Sequence, residues 1–177
     1  MKIRTVLTAW LIGLGVALTA GAQTRFTISA NGAEVTDNHT SLTWRRCVEG
    51  MTWSGSACTG SPLSLTHSGA FARAKTQSGW RLPNVKELAS IVDDAVYDNS
   101  SSTAQVAMID RTAFPNTPRT NHWASTPQVG FPAIAWLVSF YNGLVSDYIF
   151  TQDRNSLSFN GSSYSETVNV RLVRSSP

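Results

Sequence analysis

Ten consecutive residues, GWRLPNVKEL from Gly79 to Leu88, constrain the fold more than any other stretch of this chain. Glycine takes the left-handed conformation that ends helices, and proline cannot occupy a helix interior. Asn84 with Glu87 three residues later is the pattern of a capping box, in which the two side chains accept hydrogen bonds from each other's backbone N–H. The stretch therefore predicts the end of one helix, a crossing that turns Trp80 and Leu82 into the core, and the start of a second helix after Pro83. The first helix is expected over Thr66 to Ser78, capped by Thr66 or Ser68, with Phe71, Ala74 and Lys75 at helical spacing. The second carries Val85, Leu88, Ile91 and Val92 as an apolar stripe. Arg81 is assigned to the joint itself, paired with a buried carboxylate or bracing the loops.

Extended patterns lie on either side. Phe26 and Ile28 alternate with polar residues, Asn31-Gly32 marks a turn, Glu34-Val35-Thr36 resumes, and Leu42 and Trp44 alternate again. "AIAWLVSFYNGLVSDYIF" reads as a hairpin with Ile134, Trp136, Val138 and Phe140 on one face and Asn142-Gly143 at the turn. In "VNVRLVR", a last strand, Val168, Val170 and Leu172 point one way and Asn169, Arg171 and Val173 the other. Val48 to Leu65, Tyr97 to Thr120 and Thr151 to Thr167 read as loops. Helices early and a β-meander late make the class α+β: two helices packed on a largely antiparallel sheet with long loops.

The N-terminus has the form of an export signal. Lys2 and Arg4 precede an apolar run from Val6 to Leu18, and Ala20-Gly21-Ala22 supplies a small-x-small cleavage pattern, so residues 1–22 are assigned to a signal peptide and 23–177 to one domain. No later stretch is apolar enough to span a membrane. Two of the 14 basic residues fall in the leader, which brings the remainder from +3 to about +1. Near-balanced charge without a Lys-rich run excludes a nucleic-acid reading. In an oxidising compartment, Cys47 and Cys58 read as one disulfide closing the Gly/Ser-rich loop.

Candidate chemistry is sparse. His39, His67 and His122 lack partners at zinc-ligand spacing, and no metal or cofactor is assigned. Asp93, Asp94 and Asp98 cluster after the second helix. They lack the glycine and alternating oxygens of an EF-hand-like loop and read as solvated carboxylates, with a bound cation left open. No nucleophile elbow, Walker or dinucleotide pattern occurs, so an enzyme reading has no positive support. The aromatics say more. Trp44, Trp80 and Trp136 belong to predicted elements and are assigned to the core. Trp53 sits within the disulfide loop and Trp123 borders the long polar loop, where an indole either stacks on a sugar ring or anchors the loop as a buried ring. Arg111, Arg119 and Arg154 lie in the two long loops and suit sulfates or carboxylates of an acidic glycan.

"VTDNHTSLTWRRC", "MTWSGSACTG", "GWRLPNVKELASIVD", "FPNTP", "HWASTP", "AWLVSFYNG" and "VRLVR" occur in the order seen in a bacterial domain family that the chain resembles from about Val35 to Arg174. Its named representative is the C-terminal domain of a collagen-like adhesin, Lcl. The resemblance implies a C-type-lectin-like fold in exported proteins of Gram-negative bacteria, located in the periplasm, at the cell surface or secreted, and an association with sulfated glycosaminoglycans. "RLPNVKEL" is also similar to a segment of formylglycine-generating enzymes, but their C-terminal active-site cysteines are absent here. So are the "EPN", "QPD" and "WND" motifs of calcium-dependent lectins, and any Gly-x-y stalk. The expectation is a non-enzymatic binding domain for a glycan or surface polymer, acting through Trp53, Trp123, Arg111, Arg119 and Arg154. The rival expectation is a structural or protein-interaction module of the envelope or of a pilus-associated assembly.

Overall fold

The computed structural model describes residues 24–96, 106–149, 157–159, 162–164 and 168–176. The expected signal peptide, Asp98 and Arg154 lie outside them. In chain order the elements are β1 (Phe26–Ile28), β2 (Glu34–Asp37), β3 (Leu42–Arg45), β4 (Met51–Trp53), β5 (Cys58–Gly60), β6 (Ser64–Leu65), α1 (His67–Lys75) and α2 (Val85–Ser90), then a short 3-10 turn at Asp94–Val96. There follow β7 (Asn121–Gln128), β8 (Phe131–Ser139), β9 (Val145–Ile149), β10 (Leu157–Phe159), β11 (Ser162–Tyr164), β12 (Val168–Asn169) and β13 (Val173–Ser175). The strands form a four-stranded sheet in the order β1-β2-β3-β13, a five-stranded sheet in the order β6-β12-β7-β8-β9, and two separate pairs, β4-β5 and β10-β11. Among the described residues every strand pairing is antiparallel except β12 with β7. The class is α+β, as expected.

The joint between the helices behaves largely as its residues dictate. Thr66 caps α1, its hydroxyl accepting from Gly69 N, and Asn84 and Glu87 form a complete capping box on α2. A cap of this kind contributes about 1 kcal/mol. Helix α1 is shorter than expected: it ends at Lys75 with Thr76 as cap, and Gly79 (φ +77°) shapes the turn that follows. The crossing is stitched to both large sheets. Arg81 exchanges two backbone hydrogen bonds with Val173 of β13, and Pro83 accepts from Ser125 of β7, while Thr126 caps Val85 N. Arg81 also makes a bidentate pair with Glu87, 2.7 Å at each nitrogen, so the same carboxylate closes the capping box and holds the arginine. That hydrogen bond keeps the Glu87 carboxyl below its usual range.

Two apolar clusters fill the interior. Val35, Trp44, Leu88, Ile91, Ile109, Phe114, Val138, Phe140 and Val173 form one, between the four-stranded sheet and α2. Ala70, Ala74, Leu82, Trp123, Ala135, Leu137, Val168, Val170 and Leu172 form the other, against α1. Residues 135–138 of strand β8 feed both, so both faces are buried there rather than one. The last segment alternates as expected, yet it is two short strands in two sheets, with Val170 to Leu172 crossing between them. Val48 to Leu65 is not an irregular loop; it contains β4, β5 and β6. The described part of 97–120 has no strand, but Ala107, Met108, Ile109, Ala113 and Phe114 are buried, a polar-looking loop that supplies core. Among the described residues no helix is long and apolar enough to cross a membrane.

Polar groups are buried as well. His122 is fully enclosed, Nδ1 facing the Thr120 carbonyl at 3.2 Å and its ring edge-on to Phe140. Burial and the nearby Arg171 charge hold its imidazole down at about 3, and burial also lowers His67. A histidine whose folded pKa is depressed contributes stability that is present above the unfolded value near 6.5 and is lost as pH falls towards the folded value. Thermal unfolding from pH 7.5 to 4 is therefore expected to show a Tm that declines below about pH 6.5. His122→Gln should flatten that decline.

Candidate functional site

The joint, β3 and the β4–β5 hairpin enclose a cleft of about 310 Å³ lined by Trp53, Trp80, Glu34, Arg45, Glu49 and Arg73. Each wall has a local cause. Strand alternation buries Trp44 and puts Arg45 on the other side of β3. The turn at Gly79 delivers Trp80, which is half-buried: it packs against the second apolar cluster and also lines the cleft, with the guanidinium carbons of Arg45 and Arg174 each 5.0 Å from its ring. Arg73 comes from the last turn of α1.

The charges in the cleft are tied to one another. Glu49 is almost fully buried and accepts from Arg45 Nη1 at 2.9 Å and from Arg73 Nε at 2.6 Å, so both its oxygens are engaged. Arg45 Nη2 also reaches Gln77, and Glu34 accepts from Arg174 Nη2 at 2.6 Å. Burying a carboxylate costs several kcal/mol unless it is paired and hydrogen-bonded, which the two arginines satisfy here. Arg73 Nη1 and Nη2 make no hydrogen bond among the described residues, and 38 % of its side chain is exposed.

Trp53 is placed by contacts on two sides. Arg46 lies over its ring at 4.3 Å, while Arg46 Nη1 donates to the Gly32 carbonyl at 2.6 Å. Gly32 has φ +72°, and a Cβ added there would come 2.5 Å from Trp53 Nε1, so the indole edge rests on bare backbone. The hairpin that carries Trp53 is fastened to the domain by the Cys47–Cys58 disulfide, as expected from the spacing. Cys47 itself lines the cleft.

Of the four residues expected to bind ligand that lie among the described residues, Trp53 alone lines this cleft. Trp123 is fully buried in the second cluster and donates its Nε1–H to the Leu65 carbonyl at 2.8 Å. It is a buried residue of β7, paired with Leu137 of β8, with no ring face to offer. Arg111 is exposed elsewhere, and Arg119 stacks on Tyr141, Cζ 3.7 Å from the ring centroid. Neither lines the cleft. Asp93 accepts from Ala95 N as a turn residue, and among the described residues no three His, Cys, Asp or Glu are grouped to hold a metal. Trp80, Arg45, Glu49 and Arg73 were not singled out for binding by the sequence; only the strand alternation after Trp44 hinted at Arg45.

Residues 33–174 match the family model of the Lcl C-terminal domain, and the chain belongs to that family. No curated protein and no solved structure matches the chain. Family and disulfide together fit an exported protein.

The contact under Trp53 is directly testable. Gly32→Ala adds a methyl into the indole edge at a positive φ, so stability should fall by more than about 1 kcal/mol. Tryptophan emission should also shift, because Trp53 must move. An unchanged melt and spectrum would show that the indole does not rest on Gly32.

Proposed function

We propose that this chain is an exported, non-enzymatic binding domain of C-type-lectin-like fold, and that its cleft takes a segment of an acidic glycan or similar surface polymer. The observation that carries this reading is two half-buried indoles, Trp53 and Trp80, lining one cleft with a partly open arginine fork at Arg73. Indoles stack on the apolar faces of sugar rings, and a guanidinium edge matches a carboxylate or sulfate. The ion pairs keep the walls pre-organised, which reduces the ordering cost of binding. They also favour binding over catalysis, since Glu49 has both oxygens committed to arginines and Glu34 is bonded to Arg174.

A second reading, an envelope or pilus-associated interaction module, is favoured by exposed Tyr141, Leu144 and Val145 around the β8–β9 turn. It calls for a protein partner captured by cross-linking, with no glycan bound.

The glycan reading is tested with the leaderless chain on a glycan array and a heparin column at physiological salt. Retention is expected, reduced roughly tenfold or more in Trp53→Ala, Trp80→Ala and Arg73→Gln, with far-UV circular dichroism unchanged. Failure of the parent protein to bind on either surface would sink it.

A further inference from the structure

The β4–β5 hairpin stands apart from the rest of the fold. It is a two-stranded sheet of its own, with Met51, Thr52 and Trp53 opposite Gly60, Thr59 and Cys58, and neither strand pairs with the two larger sheets. Of residues 51–60 only Cys58 is buried. Among the described residues its non-covalent ties are few: Met51 N donates to the Val48 carbonyl at 3.1 Å, Cys58 N donates to Asn116 Oδ1 at 3.2 Å, and Trp53 leans on Arg46 and Gly32. A two-stranded hairpin is marginal in water by itself. The Cys47–Cys58 bond crosses from the end of β3 to β5, directly opposite Trp53 in the hairpin register.

We infer that the disulfide is a redox gate on the cleft: the Trp53 wall is present in the oxidised protein and detaches when the bond is reduced, while the two large sheets persist. The reductant is a dithiol. One of its thiolates attacks a cystine sulfur, the Sγ–Sγ bond breaks, and a mixed disulfide forms. The second thiol then closes the reagent into its own disulfide and leaves Cys47 and Cys58 as thiols, two electrons having passed to the protein. Cys47 lines the cleft and the hairpin supplies its Trp53 wall, so a bound ligand and the oxidised state reinforce each other by linkage. As a control on binding, the gate rests on the cleft reading above; as a structural event, it does not.

Hydrogen exchange followed by mass spectrometry separates the two. The leaderless chain is compared oxidised, reduced with dithiothreitol, and as Cys47→Ser/Cys58→Ser. The expected result is exchange across residues 51–60 that is roughly tenfold or more faster in the last two, with β8 and β13 still protected. Acrylamide should then quench Trp53 emission, an effect absent from the same preparations of Trp53→Phe. Unchanged protection of 51–60 would overturn the inference. So would simultaneous loss of protection in both large sheets, including a double variant that does not fold, because the hairpin would then be no separable gate. These readings need no ligand: failure to bind heparin alongside fast hairpin exchange removes the glycan reading and keeps the structural event, and slow exchange with intact binding does the reverse.

Discussion

Two buried guanidiniums hold the irregular parts of this fold together. Arg171 is fully enclosed, donating Nη1 to the carbonyls of Arg45 and Arg46 and Nη2 to Thr117 Oγ1, with Phe114 against its face. Arg46 donates Nε to the Ala113 carbonyl, Nη1 to that of Gly32 and Nη2 to that of Thr112. Neither pairs with a carboxylate among the described residues. Both serve backbone carbonyls that no strand satisfies, at the places where the chain leaves a sheet and crosses the interior. Unpaired buried carbonyls are costly, and a planar five-donor fork is well suited to collecting several from different directions. Burial lowers the Arg171 pKa to about 9, which leaves the side chain charged at neutral pH.

The cleft follows from that arrangement. Arg171 fixes the carbonyls of Arg45 and Arg46, so the side chains of those residues project from a backbone that is already held. Arg46 then supports Trp53, and Arg45 spans Glu49, Gln77 and Trp80. The joint at Arg81 is fastened to β13 on one side of Arg171 in the chain, and β12 on the other side joins the five-stranded sheet. The site is thus assembled from the segments that the interior arginines tie together.

Local rules were readable in the residues where a pattern has a short-range cause. The capping box of Asn84 and Glu87, the Asn142-Gly143 hairpin, the first strands and the disulfide all depend on neighbours within about a dozen positions. What depends on distant partners was not readable. Trp123 and Trp53 look alike in sequence, each beside a polar loop; one is buried because Leu65 and Leu137 close over it, the other is not. Trp80 was assigned inward from its place in the joint and does pack against the second cluster, but its part in the cleft depends on β3 and the β4–β5 hairpin and could not be read locally. Arg171 looked like the polar side of a strand, because alternation says nothing of how many layers cover each face. The polar composition of 106–120 concealed the buried Ile109 and Phe114 for the same reason.

The central claim is that ligand engages the two indoles of one cleft. Its most direct test is a titration of 15N-labelled residues 23–177 with a heparin-derived oligosaccharide, following the indole N–H resonances of all five tryptophans in that span. The account predicts shifts at Trp53 and Trp80, with Trp44 and Trp123 unmoved in the core. Saturable shifts around Arg111 or Arg119 with Trp53 and Trp80 silent would contradict it.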